Sequence, residues 1–281
     1  MPDIQGVPPK IAFVLGGGGM VGAHEVGMLR ALAEAGIEPD VVLGTSIGAI
    51  NGALAAARPG DTAALTELWR SGALLAAFDD SLARRVGTFV RSGTHLQAND
   101  GLATLLSRLL PVHDFGKLHV PFQCVAASIE RAAAHWFTEG PIVPAVLASC
   151  AVPGLLPPVR IGSEHYLDGG LVHSIPVGRA VELGAETVYV LHVGRIERPL
   201  SPPKRPWQVG LVAFEIARRH RFFEEMSRLP DGVAVHVLPA GATGPVARGD
   251  LSPLRYRDAS RIDAHIERAY QASVAYLEAA A

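Results

Sequence analysis

Only two cysteines, Cys124 and Cys150, occur in the 281 residues, and both stand in apolar surroundings. Two thiols placed this way supply neither a disulfide framework nor a zinc ligand set, so a reducing compartment is the expectation. Charge is scarce too: charged residues make up 19% of the chain, and the net charge is −2. There is no global basic field, which argues against a nucleic-acid partner. Long hydrophobic runs are missing as well, since no uncharged stretch approaches the ~20 apolar residues that span a bilayer. Residues 1–10 are polar and Pro-rich, and the apolar run at 11–15 is too short for a signal core. The chain is therefore expected to be soluble and cytoplasmic, a setting compatible with peripheral contact at the inner membrane surface.

What is present is apolar and glycine-rich. Hydrophobic residues make up 49% and glycine accounts for 30 positions, with a mean hydropathy of +0.25. That composition suits segments buried on both faces of an α/β protein. The length is enough for one large core, and no repeat or boundary divides residues 1–281, so a single domain is expected. Residues 11–15 read as a buried strand, followed by a glycine loop and a helical pattern that Gly36 stops. A second strand follows at 41–43, then Gly44-Thr-Ser46-Ile-Gly48, then an Ala-rich helix over 47–57. Two strand–loop–helix units in succession are βαβ grammar, and sites are expected at the carboxyl ends of such strands.

Further along, the spacing predicts helices over 61–69, 79–90 and 100–110, a region that reads as a cap more than as sheet. Strands are predicted over 122–128 and 134–138 and a helix ending at Ser149, with Pro144 in its first turn. An irregular Pro-rich piece covers 152–158, and a short strand then ends at Asp168. A helix over 177–183 and a strand over 187–193 follow. The pattern over 207–229 reads as an ordinary amphipathic surface helix. A last strand at 233–238, a loop over 239–253 and a helix over 260–277 complete the reading.

Gly44-x-Ser46-x-Gly48 between strand and helix has the context of a nucleophile elbow. Glycines flanking the serine let the turn close, and the helix behind it favours negative charge at Ser46. Gly17-x-Gly19-x-x-Gly22 matches a dinucleotide fingerprint literally. The ribose-binding carboxylate, however, should end the second strand, and Asp40 precedes that strand instead. A phosphate loop is excluded because no Lys-Ser/Thr follows the glycines. Beside a nucleophile, a row of loop amides serves better as an anion nest.

The serine needs a base. Eleven histidines are available, but His24 and His220 fall on helices, His95 and His113 in polar loops, and His135, His192 and His236 in strands. Asp168, at a strand end before Gly169-Gly170, is the more distinctive candidate, with a plain turn residue as its alternative.

Gly17-Gly-Gly-Met-Val-Gly22, Gly44-Thr-Ser-Ile-Gly48 and Asp168-Gly-Gly170, in this order, resemble the patatin-like phospholipase family. Ala148-Ser-Cys-Ala-Val-Pro-Gly154 is similar to the family's segment leading to its aspartate. The resemblance spans residues 10–194. It implies a three-layer α/β/α sandwich around a mainly parallel sheet. It further implies Ser46 as nucleophile, Asp168 as base, and Gly17, Gly18 and Gly19 as the oxyanion hole. The implied substrates are acyl esters of lipids, with no cofactor or metal. The family commonly has an arginine in the glycine loop where this chain has Val21. Two rivals stand beside this reading: a Ser–Asp–His triad using His173, His192 or His236, and a non-catalytic acyl-binding protein.

Overall fold

The computed structural model describes residues 10–77, 88, 90, 93–192, 199–241 and 260–280. Eight strands form one sheet: β1 (Ile11–Leu15), β2 (Val41–Gly44), β3 (Phe122–Ser128), β4 (Ala133–Phe137), β5 (Val159–Ile161), β6 (Glu164–Asp168), β7 (Thr187–Leu191) and β8 (Ala234–Leu238). Their order is β5-β6-β3-β2-β1-β7-β8, with β4 also paired to β3. From β3 to β8 the neighbours run parallel, while β4, β5 and β6 pair antiparallel. Parallel pairing demands crossovers. The helix α1 (Ala23–Glu34) supplies the one from β1 to β2, and α2 (Ile47–Ala57), α3 (Thr62–Arg70), α4 (Ala73–Ala77) and α5 (Asp100–Leu109) lie between β2 and β3.

Alternation along the central strands divides two apolar cores. Phe13, Leu15, Val42 and Leu191 face one layer, built from α1 to α5, α6 (Ile142–Ser149) and α9 (Ser260–Ala280). Ala12, Val14, Val41, Leu43, Val188 and Val190 face the other, closed by α7 (Val177–Glu182) and α8 (Pro206–Met226) through Val177, Ala180 and Phe222. The result is a three-layer α/β/α sandwich with a mixed, mostly parallel sheet, as expected.

Several details differ from the sequence reading. The 61–110 helices are not a separate cap: Leu65, Leu68, Trp69, Leu102 and Leu106 are buried in the first layer's core. Exposing those five side chains would cost roughly 1.5–3 kcal/mol each, so α3 and α5 belong to the wall of the molecule. The helix expected over 79–90 lies almost wholly outside the described residues, as do most of the 239–253 loop and Val193. The strand β5 was hidden by its shortness and by the prolines before it.

Pairing along β3 brings the two candidate residues together. Cys124 pairs with Gly44 and with Phe137, and Ala126 pairs with Asp168 and with His135. Because β4 occupies one edge of β3 at both positions, β2 and β6 share the other edge end to end. Running in opposite directions, they stop at Gly44 and Asp168, two positions apart on β3, a gap of about 7 Å. Their carboxyl ends face each other there.

Candidate active site

Ser46 sits in the turn between β2 and α2 with φ 54° and ψ −123°, a left-handed backbone that a residue with a side chain rarely adopts. Its flanking glycines are obligatory. A Cβ on Gly44 would lie 2.6 Å from Gly48 O, and one on Gly48 would lie 2.3 Å from Leu15 O. The end of α6 fixes the turn from the other side. Ser149 Oγ accepts the Ser46 amide at 3.0 Å, and the Cys150 thiol donates to Ser46 O at 3.1 Å. Sequence reasoning assigned no role to Ser149 or Cys150, because nothing in their type or spacing points to the elbow. Burial, with the Asp168 carboxylate nearby, pushes the Cys150 thiol pKa up, so it remains a neutral donor.

Asp168 is 1% exposed. Its Oδ2 accepts the Ser46 hydroxyl at 2.7 Å, and its Oδ1 accepts the Gly170 amide at 2.7 Å. Burial pushes its pKa from the ordinary 3.8 up to about 6, against the opposing pull of Ser46, Gly170 and the Arg218 guanidinium. A carboxyl poised near that value is charged at neutral pH yet basic enough to take a proton. The remaining thiol, Cys124, is buried on β3 and its pKa is likewise raised by burial.

The glycine loop runs beside the serine. A Cβ on Gly17 would come 3.5 Å from Ser46 Cβ. The Gly17 amide, however, donates to Ser174 O at 2.8 Å, and Gly17 O accepts Arg218 Nη1 at 2.6 Å. Of the three glycines expected to line an oxyanion hole, Gly17 thus has its amide engaged, whereas among the described residues the amides of Gly18 and Gly19 carry no hydrogen bond. Gly19, at φ 61°, opens the short 3₁₀ turn Gly19–Gly22 that leads into α1. Asp40 takes the amides of Lys10 and Ile11 at the amino-terminal end of β2, far from where a ribose would lie.

The three histidines of the triad rival are placed differently. His173 Nδ1 meets Glu225 Oε1 at 2.7 Å, and His236 Nδ1 meets the Tyr276 hydroxyl at 3.2 Å. His192 is buried beside Gly16. Both Asp168 oxygens are occupied without a histidine. Among the described residues, no group of three or more His, Cys, Asp or Glu is placed to hold a metal ion.

A family model for patatin-like phospholipase matches residues 13–181. The chain is 31% identical over 188 residues to "Patatin-like phospholipase domain-containing protein 7" of Mus musculus, an alignment covering 66% of this chain and 14% of that protein. It is 35% identical over 195 residues to "Patatin-like phospholipase domain-containing protein ZK370.4" of Caenorhabditis elegans, again covering 66% and 14%. With "Lysophospholipase nte1" of Emericella nidulans the identity is 31% over 198 residues, covering 66% and 12%. The aligned part is thus a small fraction of these relatives' own length. Among solved structures, that of VipD from Legionella pneumophila superposes with a TM-score of 0.48 at 14% identity, covering 97% of this chain and 67% of that one.

Proposed function

Because the chain belongs to the patatin-like phospholipase family, we propose that it is a serine lipid acyl hydrolase that cleaves carboxylic esters with a Ser46–Asp168 dyad. The observation that carries this reading is the 2.7 Å hydrogen bond from Ser46 Oγ to Asp168 Oδ2, made without an intervening ring. In the reaction, Asp168 takes the serine proton as Oγ bonds to the ester carbonyl carbon. The carbonyl oxygen becomes an oxyanion that the Gly18 and Gly19 amides can receive. Collapse breaks the ester C–O bond, and the leaving alcohol recovers the proton from Asp168. Water then repeats the sequence on the acyl-serine: it gives a proton to Asp168, attacks, and frees the fatty acid and the serine. The family and its lysophospholipase relatives support a lipid acyl ester as the substrate. Covalent labelling of Ser46 by a fluorophosphonate, with fatty acid released from a lysophospholipid, tests the reading. Absence of both would favour an acyl-binding protein.

Val21 lies in the 3₁₀ turn of the loop, and its carbonyl meets His24 Nδ1 at 2.8 Å. Without a charged side chain there, neutral acyl esters are expected to be hydrolysed at least as well as phospholipids. Val21→Arg should shift the ratio toward phospholipid at low salt, where screening is weakest. Equal ratios for the two proteins would remove this electrostatic argument.

The reading also places the enzyme at a lipid surface, on the cytoplasmic side. No described helix is long and apolar enough to cross a membrane. On α8, Val209, Ile216 and Phe223 recur every seventh residue at 55%, 54% and 51% exposure. The same helix packs Phe214 against Gly170 beside Asp168, and the exposed Lys204 and Arg205 lead into it. An apolar stripe with a basic approach fits an anionic bilayer surface. The double change Ile216→Glu and Phe223→Glu is expected to reduce flotation with anionic vesicles while sparing hydrolysis of a monomeric soluble ester. Undiminished flotation would take the stripe out of the proposal.

A further inference from the structure

Arg218 is 7% exposed, on a helix whose sequence reads as a surface element. Its Nη1 reaches back across 201 positions to Gly17 O. Its Nε is buried with no hydrogen-bond partner; Glu215 Oε1, at 3.6 Å, forms an ion pair with it from beyond hydrogen-bond reach. Burial lowers the pKa of this guanidinium. A cation taken out of water with part of its donor set unmatched is costly, and an apolar side chain of similar length would fill the space without that cost. The placement of the charge calls for a reason other than packing.

Gly17 O and Gly18 N–H belong to one planar trans peptide and point to opposite sides of it. The Gly17 amide is tied to Ser174 O. A guanidinium on Gly17 O therefore fixes the direction of the Gly18 N–H and, by polarising the peptide, strengthens it as a donor. Gly17, which begins that peptide, neighbours the nucleophile: a Cβ on it would come 3.5 Å from Ser46 Cβ. Phe214, one turn earlier on α8, lies against Gly170, whose amide holds Asp168 Oδ1. One helix, outside the family match at 13–181, thus braces both the loop and the base.

We infer that Arg218 is a positioning residue for acyl transfer: it holds the Gly17 peptide so that the Gly18 amide faces the developing oxyanion, and it lends its positive charge to the site. This inference rests on the Ser46–Asp168 reading. Asp168, Glu215 and Arg219 are the charged groups acting on Arg218, and Arg218 together with the Cys150 thiol faces Asp168.

The test compares Arg218→Met and Arg218→Lys with the parent protein on a soluble acyl ester from about pH 5 to pH 9, with circular dichroism as the folding control. Removing one prop of an oxyanion donor is expected to lower kcat by roughly 10²-fold in Arg218→Met, with KM nearly unchanged. Fluorophosphonate labelling should slow in parallel, because the phosphonyl oxygen uses the same donors. The acidic limb of the pH profile should move upward, since loss of a nearby cation makes the Asp168 carboxylate harder to form. Arg218→Lys should recover part of kcat and return the limb toward that of the parent. A folded Arg218→Met with kcat near the parent's, or an equal loss in both variants with the limb unmoved, would overturn the inference. If Arg218→Met does not fold, Arg218→Lys and Arg218→Gln carry the same comparison. A parent protein that neither hydrolyses esters nor labels at Ser46 would instead overturn the underlying reading, and this inference with it.

Discussion

Ser46→Ala is expected to reduce ester hydrolysis to background and to abolish fluorophosphonate labelling, with the fold retained. The loss should be complete because, among the described residues, the Ser46 hydroxyl is the one hydrogen-bonded to the Asp168 carboxylate. The fold should persist because alanine keeps the Cβ that the turn already tolerates at φ 54°. The bonds from the Ser46 amide to Ser149 and from the Cys150 thiol to Ser46 O involve only its backbone. Ser46→Gly gives a second readout, since relieving a strained backbone should raise stability by about 1 kcal/mol. Mass spectrometry of the labelled peptide checks the first claim and thermal unfolding the second. A label persisting in Ser46→Ala would move the nucleophile elsewhere.

Asp168→Asn is the other large effect. The amide keeps an acceptor for Gly170 N–H and a polar contact to Ser46, but it cannot take a proton. A loss of roughly 10²–10⁴ in kcat is expected, the range for removing a general base. In the parent protein, activity should rise with pH through about 6, the value to which burial pushes Asp168, because the carboxylate is the active form. That limb should vanish in the variant. Stability should run the opposite way. The folded-state pKa lies above the ordinary 3.8, so the contribution of the protonated carboxyl is complete below about pH 4 and lost as pH rises through about 6. Two pKa units amount to about 3 kcal/mol. Asp168→Asn should therefore melt higher than the parent at pH 8, and its advantage should shrink toward pH 4. By contrast, neutral replacements of His173, His192 or His236, made singly, should keep most activity. One of them matching the damage of Asp168→Asn, with folding retained, would restore the triad.

The elbow was legible because both of its glycines are demanded by close backbone: a Cβ on Gly44 would come within 3 Å of Gly48 and Ala49 in the same turn, and one on Gly48 within 3 Å of Leu15 and Gly16 at the end of β1. The parallel centre of the sheet was legible from composition, since β1 and β2 are short, nearly continuous apolar runs buried on both faces, and β7 buries Val188, Val190 and Leu191. Asp168 stood out only through the glycines after it. Its meeting with Ser46 depends on β2 and β6 sharing one edge of β3, which is a matter of register that periodicity does not carry. Gly17 was assigned an open amide because the partner, Ser174 O, lies far along the chain. Arg218 escaped notice for the opposite reason: arginine on an amphipathic helix is nearly always solvated. Here the glycine carbonyl that buries it comes from the far end of the sequence.

The central place of β1 also sets a schedule for synthesis. This strand is hydrogen-bonded to β2 on one side and to β7 on the other. The first partner follows within a few tens of residues, whereas the second begins only at Thr187. At about 5–20 residues per second, the ~140 residues between β2 and β7 keep that edge of β1 unpaired for roughly 7–30 s on the ribosome. During this interval the growing chain presents an apolar parallel edge, together with a face of Val14, Val41 and Leu43 that α8 has yet to cover. An open edge of that kind is a template for pairing with another chain. Slower synthesis between β2 and β7 would lengthen that exposure and is expected to raise the share of chain that aggregates, as the soluble yield of a slow-codon version would report.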